Sequence, residues 1–389
     1  MLIRGIPVNM KLNNTVLMIA SLIVSILAGF IFRFAETGRG INAFLFSAGM
    51  AYLKLLFLLA IPLVCLNLVA GVALRFRMRS GNAVPVRLRF FHYIAIIGAV
   101  VLGVAAGNIT GSSWFAPVPD GFSGFGLQLL RPLVPGALLL SALTGAAAGK
   151  AGSEGEEARC ILFSMADVIG FAGALLLRLL PVGLFCLLCP LVAVRGIAVL
   201  WPAVKLVLVT AFCCAAYGVL VYGYQLRHCG KDCPRHFLRN FKPVLLQAFA
   251  ACSSGNGEAD AMRCLQRMGI TENTGLAAWR CGTLLGKTGT ILYCGIACLT
   301  AVHFRGGTLS LPAMAGIFIW ILFVSLASAK YRGSGLYVVL VLLFVLGLPP
   351  RAAIPLLVFE WLLDGLRSAL NSAAAGTGAY LGDKLGWLK

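Results

Sequence analysis

Apolar residues fill this chain in long uninterrupted blocks, and polar residues collect in the short stretches between them. Blocks at 16–32, 53–74, 94–106, 199–221 and 317–329 cover much of the roughly 20 helical residues that a bilayer crossing needs. With their flanks they predict helices at 14–34, 43–75, 88–108, 132–150, 160–194 and 198–226. The first block follows only Arg4 and Lys11 and shows no small-residue cleavage site behind it, so a retained helix is expected there, not a signal peptide. The Gly-rich stretch 149–159, with Glu154, Glu156 and Glu157, reads as a solvated turn.

Beyond residue 240 the pattern changes. The stretch 243–269 has an apolar arm of about nine residues, a Ser/Gly/Asn break at 252–257 and then a mixed arm, neither arm long enough to span. The stretch 312–350 repeats the arrangement around a break at 328–335. A fuller helix follows each, carrying GTLLGKTGT (282–290) in the first case and DGLRSALN (364–371) in the second. Two interrupted hydrophobic segments in corresponding positions are the pattern of a secondary transporter built from inverted repeats. As re-entrant hairpins they would leave tip backbone groups without helical partners, which is tolerated at membrane depth only inside protein or along a cavity. The tips are therefore expected to meet at a site. The alternative is two surface loops between short, kinked helices.

Composition settles the solvent. The chain is 60% hydrophobic and 12% charged, with a mean hydropathy of +0.93, values that belong to a membrane protein. Its net charge of +19 invites a nucleic-acid reading, but the placement of the charge excludes it. Arg75, Arg77, Arg79, Arg87 and Arg89 crowd one connection and Arg227, Lys231, Arg235, Arg239 and Lys242 another, while 108–130 has no basic residue. That alternation puts the N-terminus and both basic loops in the cytoplasm; contact of the 75–89 loop with anionic head groups is a second reading. Most of the 13 cysteines lie in apolar runs, where they serve as small hydrophobes. HCGKDCPRH (228–236) has metal-ligand residue types, but its spacing and basic surroundings favour an ordinary reduced loop. No Ser/His/Asp set, phosphate loop or metal cluster is placed for catalysis, so no enzyme is expected.

Glu360, Asp364, Arg367 and Asn371 are spaced by four, three and four, which aligns them on one stripe of the last helix. A charge at the bilayer centre costs about 2.5–3.5 kcal/mol on insertion scales, so such a stripe has to face protein, water or ligand. An internal Asp364–Arg367 ion pair is the plain alternative. The planar fork of an arginine matches a carboxylate and an aspartate suits an ammonium, so together they suggest a zwitterion with an additional acid.

From about Tyr52 onward the chain resembles the dicarboxylate/amino acid:cation symporters, the family of the glutamate transporter homologues. The resemblance rests on KLLFLLAIPLVCLNLVAGVA (54–73), LLPVGLFCLL (179–188), AFAACSSG (248–255), RGSG (332–335) and DGLRSALN. It implies an all-α integral membrane protein with eight transmembrane helices, two re-entrant hairpins and inverted repeats, assembled as a homotrimer and working as an elevator. Segments 1–75 and 132–226 would be mainly scaffold and trimerisation helices, with 88–111 and parts of 160–240 belonging to the moving part. The transport core would be 241–389, divided into a first hairpin at about 241–269, a helix at about 276–304, a second hairpin at about 312–350 and a last helix at about 352–383.

By the same resemblance, Arg367 would hold the side-chain carboxylate of glutamate or aspartate, Asp364 the amino group and Asn371 the α-carboxylate. Ser253, Ser254, Thr290, Ser368 and the backbone at Gly333 would complete the pocket. The partners implied are an acidic amino acid and the lipid bilayer, in a bacterial-type cytoplasmic membrane with both termini inside, and no cofactor. Two departures bear on ion coupling. Where the family has N-M-D-G-T, this chain has Gly286, Lys287, Thr288, Gly289 and Thr290, and a sodium-ligating aspartate of the last helix is replaced by Ala375. Sodium coupling is thereby put in doubt, and Lys287 is expected to stand where a cation would bind, its alternative being to snorkel to water. Proton coupling through Lys287, Glu258 or Asp260 stays open, as does a gating role for Lys330. A sodium-independent exchanger or uniporter, a non-transporting sensor and an anion channel are the competing readings.

Overall fold

The computed structural model describes residues 8–34, 38–80, 85–110, 130–255, 257–304, 310–327 and 333–387, and every regular element among them is helical. The N-terminal half contains α1 (Val8–Phe34), α2 (Gly38–Ser80), α3 (Val86–Thr110), α4 (Leu133–Lys150), α5 (Glu156–Arg178), α6 (Leu180–Arg195), α7 (Trp201–Ala216) and the short α8 (Gly223–Arg227). The C-terminal half contains α9 (Cys233–Ala251), α10 (Glu258–Arg267), α11 (Glu272–Leu285), α12 (Thr288–Phe304), α13 (Leu311–Val324), α14 (Ser334–Val345), the single turn α15 (Ile354–Val358) and α16 (Glu360–Lys384). Among the described residues, seven stretches are long and apolar enough to cross a bilayer, and the chain is a multi-pass membrane protein. Its outer faces agree with that solvent: Ile31 on α1, Leu143 on α4, Val168 on α5 and Phe212 on α7 are all more than half exposed.

Several elements differ from the sequence expectation for identifiable reasons. The helix expected over 160–194 is divided at Leu179, because Pro181 has no N–H to offer Leu177 and the chain turns through a Leu179 N–H to Leu176 carbonyl bond of 3.1 Å. The arm before the first break is longer than its nine apolar residues. It starts at Cys233 and runs for 19 residues, its first half carrying Arg235, Arg239 and Lys242. The helix expected at 276–304 begins at Glu272 and is broken at Gly286 and Lys287. The turn at 149–159 is closed by Arg159, itself buried, which donates to the carbonyls of Ala148 (2.9 Å) and Gly152 (2.6 Å). Residues 328–332 of the second break, Lys330 included, lie outside the described residues.

Packing divides the helices into two groups. α2 packs on α4, α5 and α6, and α1 on α6. The other group centres on α12 and α16: α12 crosses α3, α7 and α16, and α16 is lined by α9 and α11. α14 joins the groups by lying against α2.

The α3–α12 crossing is close because Gly103 and Gly107, four residues apart on α3, face Gly295 of α12, the small-residue spacing by which membrane helices approach. A Cβ added at Gly103 would lie 2.6 Å from the carbonyl oxygen of Leu292. Gly103→Val is therefore expected to destabilise the fold by about 1–3 kcal/mol, read as a lower thermal midpoint in lipid nanodiscs. An unchanged midpoint would show that the crossing has slack.

Candidate functional site

Both helix breaks lead to the first turns of α16. At the first, α9 ends on Cys252, which takes a left-handed φ of 50° that non-glycine residues adopt rarely. Its Sγ donates to the Trp361 carbonyl at 3.4 Å, and a Cβ on Gly365 would fall 2.9 Å from the Phe249 carbonyl oxygen, so the end of α9 rests on α16. At the second, Gly333 (φ 77°) turns into α14 and its N–H donates to Asp364 Oδ2 at 2.7 Å. Arg367 lies against the same break. A Cβ on Gly335 would fall 1.4 Å from Arg367 Nη1, so only glycine leaves room for the guanidinium.

The charges between the breaks are buried. Arg367 donates from Nε to Asp364 Oδ1 at 2.6 Å and from Nη2 to the same oxygen, and the two side chains are 3% and 1% exposed. The expected stripe thus contains the internal ion pair that was its plain alternative. The pair leaves one guanidinium nitrogen over: Arg367 Nη1 is enclosed and has no hydrogen-bond partner among the described residues. Glu360, also buried, contributes further negative potential at the guanidinium. Glu360 opens α16, where a carboxylate is favoured by the helix dipole.

Asn371 serves the third break. Between α11 and α12, Gly286 (φ −78°, ψ 52°) makes an inverse γ-turn closed by Lys287 N–H to the Leu285 carbonyl at 2.9 Å. The first N–H groups of α12 then lack helical acceptors. Asn371 Oδ1 accepts from Gly289 (2.8 Å) and Thr290 (3.3 Å), and its Nδ2 donates to Thr290 Oγ1 (2.9 Å). It is an N-cap supplied by another helix. Gly289 lets the backbones touch, since a Cβ there would lie 2.3 Å from the Arg367 carbonyl oxygen. Thr288, the first residue of α12, is buried and shares a 2.8 Å hydrogen bond with Tyr222.

Lys287 is half-buried and lines a cavity of about 30 Å³ together with Asn67, Thr290, Cys294, Ser325 and Ser334. That volume holds about two waters and no amino acid. The Asp364–Arg367 pair does not line it, but Thr290, bonded to Asn371, does. Ser253 and Ser368 are buried and Ser254 half-buried, on the first break and on α16. Ala375 packs directly on Gly282, where a Cβ would come within 2.5 Å of the Ala375 Cα. Glu258 and Asp260 are turned elsewhere: Glu258 forks to Arg280 at 2.9 and 3.1 Å and Asp260 pairs with Arg263 at 3.3 Å, all on partly exposed side chains. Among the described residues, no three His, Cys, Asp or Glu side chains gather as metal ligands.

Two residues of this region carried no sequence signal of their role. His92 of α3 is fully buried against Gly286 and Gly378, with no hydrogen-bond partner for either ring nitrogen among the described residues. Arg75, grouped by sequence with the topology-setting arginines, turns inward instead.

An all-helical membrane protein whose buried charges gather where helix breaks converge has the construction of a secondary transporter. The Sodium:dicarboxylate symporter family model matches residues 127–385, and the chain belongs to that family of transporters, which are not enzymes. It is 23% identical to the proton/glutamate-aspartate symporter of Escherichia coli (strain K12), over 93% of this chain and 90% of that protein. It is also 23% identical to excitatory amino acid transporter 2 of Homo sapiens, over 51% of this chain and only 35% of the human protein.

The buried pair sets a test of its own. Removing one partner leaves an uncompensated charge, so Asp364→Ala is expected to cost about 3–5 kcal/mol of stability. Adding Arg367→Leu in the same chain should restore most of it. A double variant as unstable as Asp364→Ala alone would mean that the pair is not what holds α16 in place.

Proposed function

We propose that this protein is a secondary transporter of acidic amino acids, L-glutamate or L-aspartate, across a bacterial-type cytoplasmic membrane, and that its sodium sites are largely lost. The observation that carries the reading is Arg367. A guanidinium enclosed between two helix breaks, with Nη1 lacking an acceptor among the described residues and an aspartate beside it, is matched by a ligand bearing both a carboxylate and an ammonium. The substrate side-chain carboxylate goes to Arg367, its ammonium to Asp364 and its α-carboxylate to Asn371. Ser253, Ser254, Thr290, Ser368 and the Gly333 backbone line the remainder. The relative from Escherichia coli, named for glutamate and aspartate and for protons, supports the same substrate class.

In the structure every one of these three residues is engaged internally. Asp364 holds Gly333, and Asn371 holds α12. Binding therefore exchanges internal contacts for substrate contacts: an ammonium arriving at Asp364 competes with the Gly333 N–H, which frees the second break to open or close with occupancy. In formal charge, Glu360 and Asp364 balance Arg367 and Lys287 in this region. A substrate of net charge −1 unbalances it by one, and a co-transported proton restores neutrality. Lys287 supplies the positive potential that a bound cation provides elsewhere. Ala375 packed on Gly282 supplies no side-chain oxygen at that position. The group of α2, α4, α5 and α6 is the stationary, trimer-forming part in this reading, and the α9–α16 core the part that moves.

Uptake of labelled glutamate into proteoliposomes is expected to persist when choline replaces sodium, to rise with an inward proton gradient and to vanish in Arg367→Gln. A steep rise with external sodium would overturn the coupling assignment, and binding of glutamate without exchange would make the protein a sensor. Lys287→Met should weaken substrate affinity about tenfold, equivalent to about 1.4 kcal/mol. Unchanged affinity in calorimetry would place the ammonium outside the mechanism.

A further inference from the structure

Helix ends release carbonyls as well as N–H groups. α11 stops at Leu285 and α13 at Val324; turn bonds from Lys287, Leu326 and Ala327 take the carbonyls of Leu285, Phe323 and Val324, and those of Leu284, Ser325 and Leu326 remain beside them at the negative ends of the two dipoles. Two such ends facing one point form a ring of oxygens suited to a cation. Here that point holds a side chain. Arg75 of α2 donates to the carbonyls of Leu284 (Nη2, 3.1 Å), Ser325 (Nη2, 3.4 Å) and Leu326 (Nη1). Leu284 belongs to the end of α11, while Ser325 and Leu326 follow α13 and lead into the second break. The Arg75 Nε is also enclosed.

We propose that Arg75 is a tethered cation: its guanidinium fills a carbonyl-lined monovalent cation site formed where α11 and α13 end, and it holds these two helix ends against α2. Its neighbour in sequence by two, Arg77, illustrates the contrast. Arg77 is 60% exposed and reaches Glu156 at 3.5 Å on the surface, whereas Arg75 lies on the helix face of Leu68 and Val72, which is buried. The planar fork matters as well as the charge. It offers separate N–H groups to carbonyls on two different helices, which the compact ammonium of a lysine matches less well. Because α2 packs with α4, α5 and α6, the same contact fastens the second break to the other helix group. Lys287 lines the adjoining cavity, so two fixed positive charges serve a region that a soluble cation would otherwise have to enter.

The inference concerns cation occupancy and holds for any substrate, so its test contains none. Thermal unfolding of the full chain in lipid nanodiscs, followed by tryptophan fluorescence, is compared in choline, lithium, sodium and potassium chloride and in choline with added methylguanidinium. The wild-type midpoint is expected to be the same in all of them. Arg75→Ala should fall by about 5 °C in choline and recover most of that loss with methylguanidinium or one of the alkali cations, which enter the vacated ring. Arg75→Lys should lie between the two. The proposal is overturned if Arg75→Ala matches the wild type in choline, if it falls and no cation restores it, or if the wild type gains as much from a cation as the variant does. Should Arg75→Ala not fold, Arg75→Gln, which keeps an amide donor and removes the charge, takes its place with the same outcomes.

Discussion

A charge taken out of water into a bilayer has to be neutralised by whatever surrounds it, and in this protein the surroundings are helix breaks. Arg367 is held by Asp364 on its own helix, and Asp364 is in turn held by the Gly333 N–H at the second break. The ion pair and the break are thus interdependent: neither the buried aspartate nor the backbone at Gly333 is satisfied without the other. The glycines at 333 and 335 follow from this. One supplies the left-handed turn into α14, and the other leaves space for the guanidinium that the turn encloses.

The same exchange of partners recurs at the other interruptions. Broken helices expose N–H groups at their starts and carbonyls at their ends, and inside a membrane protein each set needs a partner of opposite polarity. Asn371 supplies an acceptor for the start of α12, and Arg75 supplies donors for the ends of α11 and α13. Both come from intact helices. A core interrupted in this way is stable because continuous helices lend it polar side chains, and the proposed function would have it move by exchanging those contacts for a ligand of the same chemistry.

Much of this was legible in the sequence, and the limits have a physical form. The stripe from Glu360 to Asn371 follows from helical periodicity, and the breaks from Ser/Gly clusters in short apolar segments. The polar first half of α9 hid its length, since Arg235, Arg239 and Lys242 read as a loop when only hydrophobicity is counted. Pro181 gave the division at Leu179 no more emphasis than Pro190, which lies inside α6 without ending it. Arg75 was the hardest case. Five arginines in one connection look equivalent along the chain, and only the turn of α2 that puts position 75 on the face of Leu68 and Val72 separates it from Arg77. Periodicity reports faces; it does not report partners across the core, so the roles of Asn371 and His92 needed the fold.

Under the proposed function, selectivity for an acid would follow from the buried Asp364–Arg367 pair. A neutral zwitterion can offer its ammonium to Asp364, but doing so takes Asp364 away from Arg367 and leaves the guanidinium uncompensated in a low-dielectric enclosure. The second carboxylate of glutamate or aspartate replaces what Asp364 gives up. In that proposal the pair would act as a threshold: only a ligand carrying both charges would separate Asp364 from Arg367 without stranding either, and discrimination against neutral amino acids would arise from the cost of an unpaired buried charge more than from pocket shape.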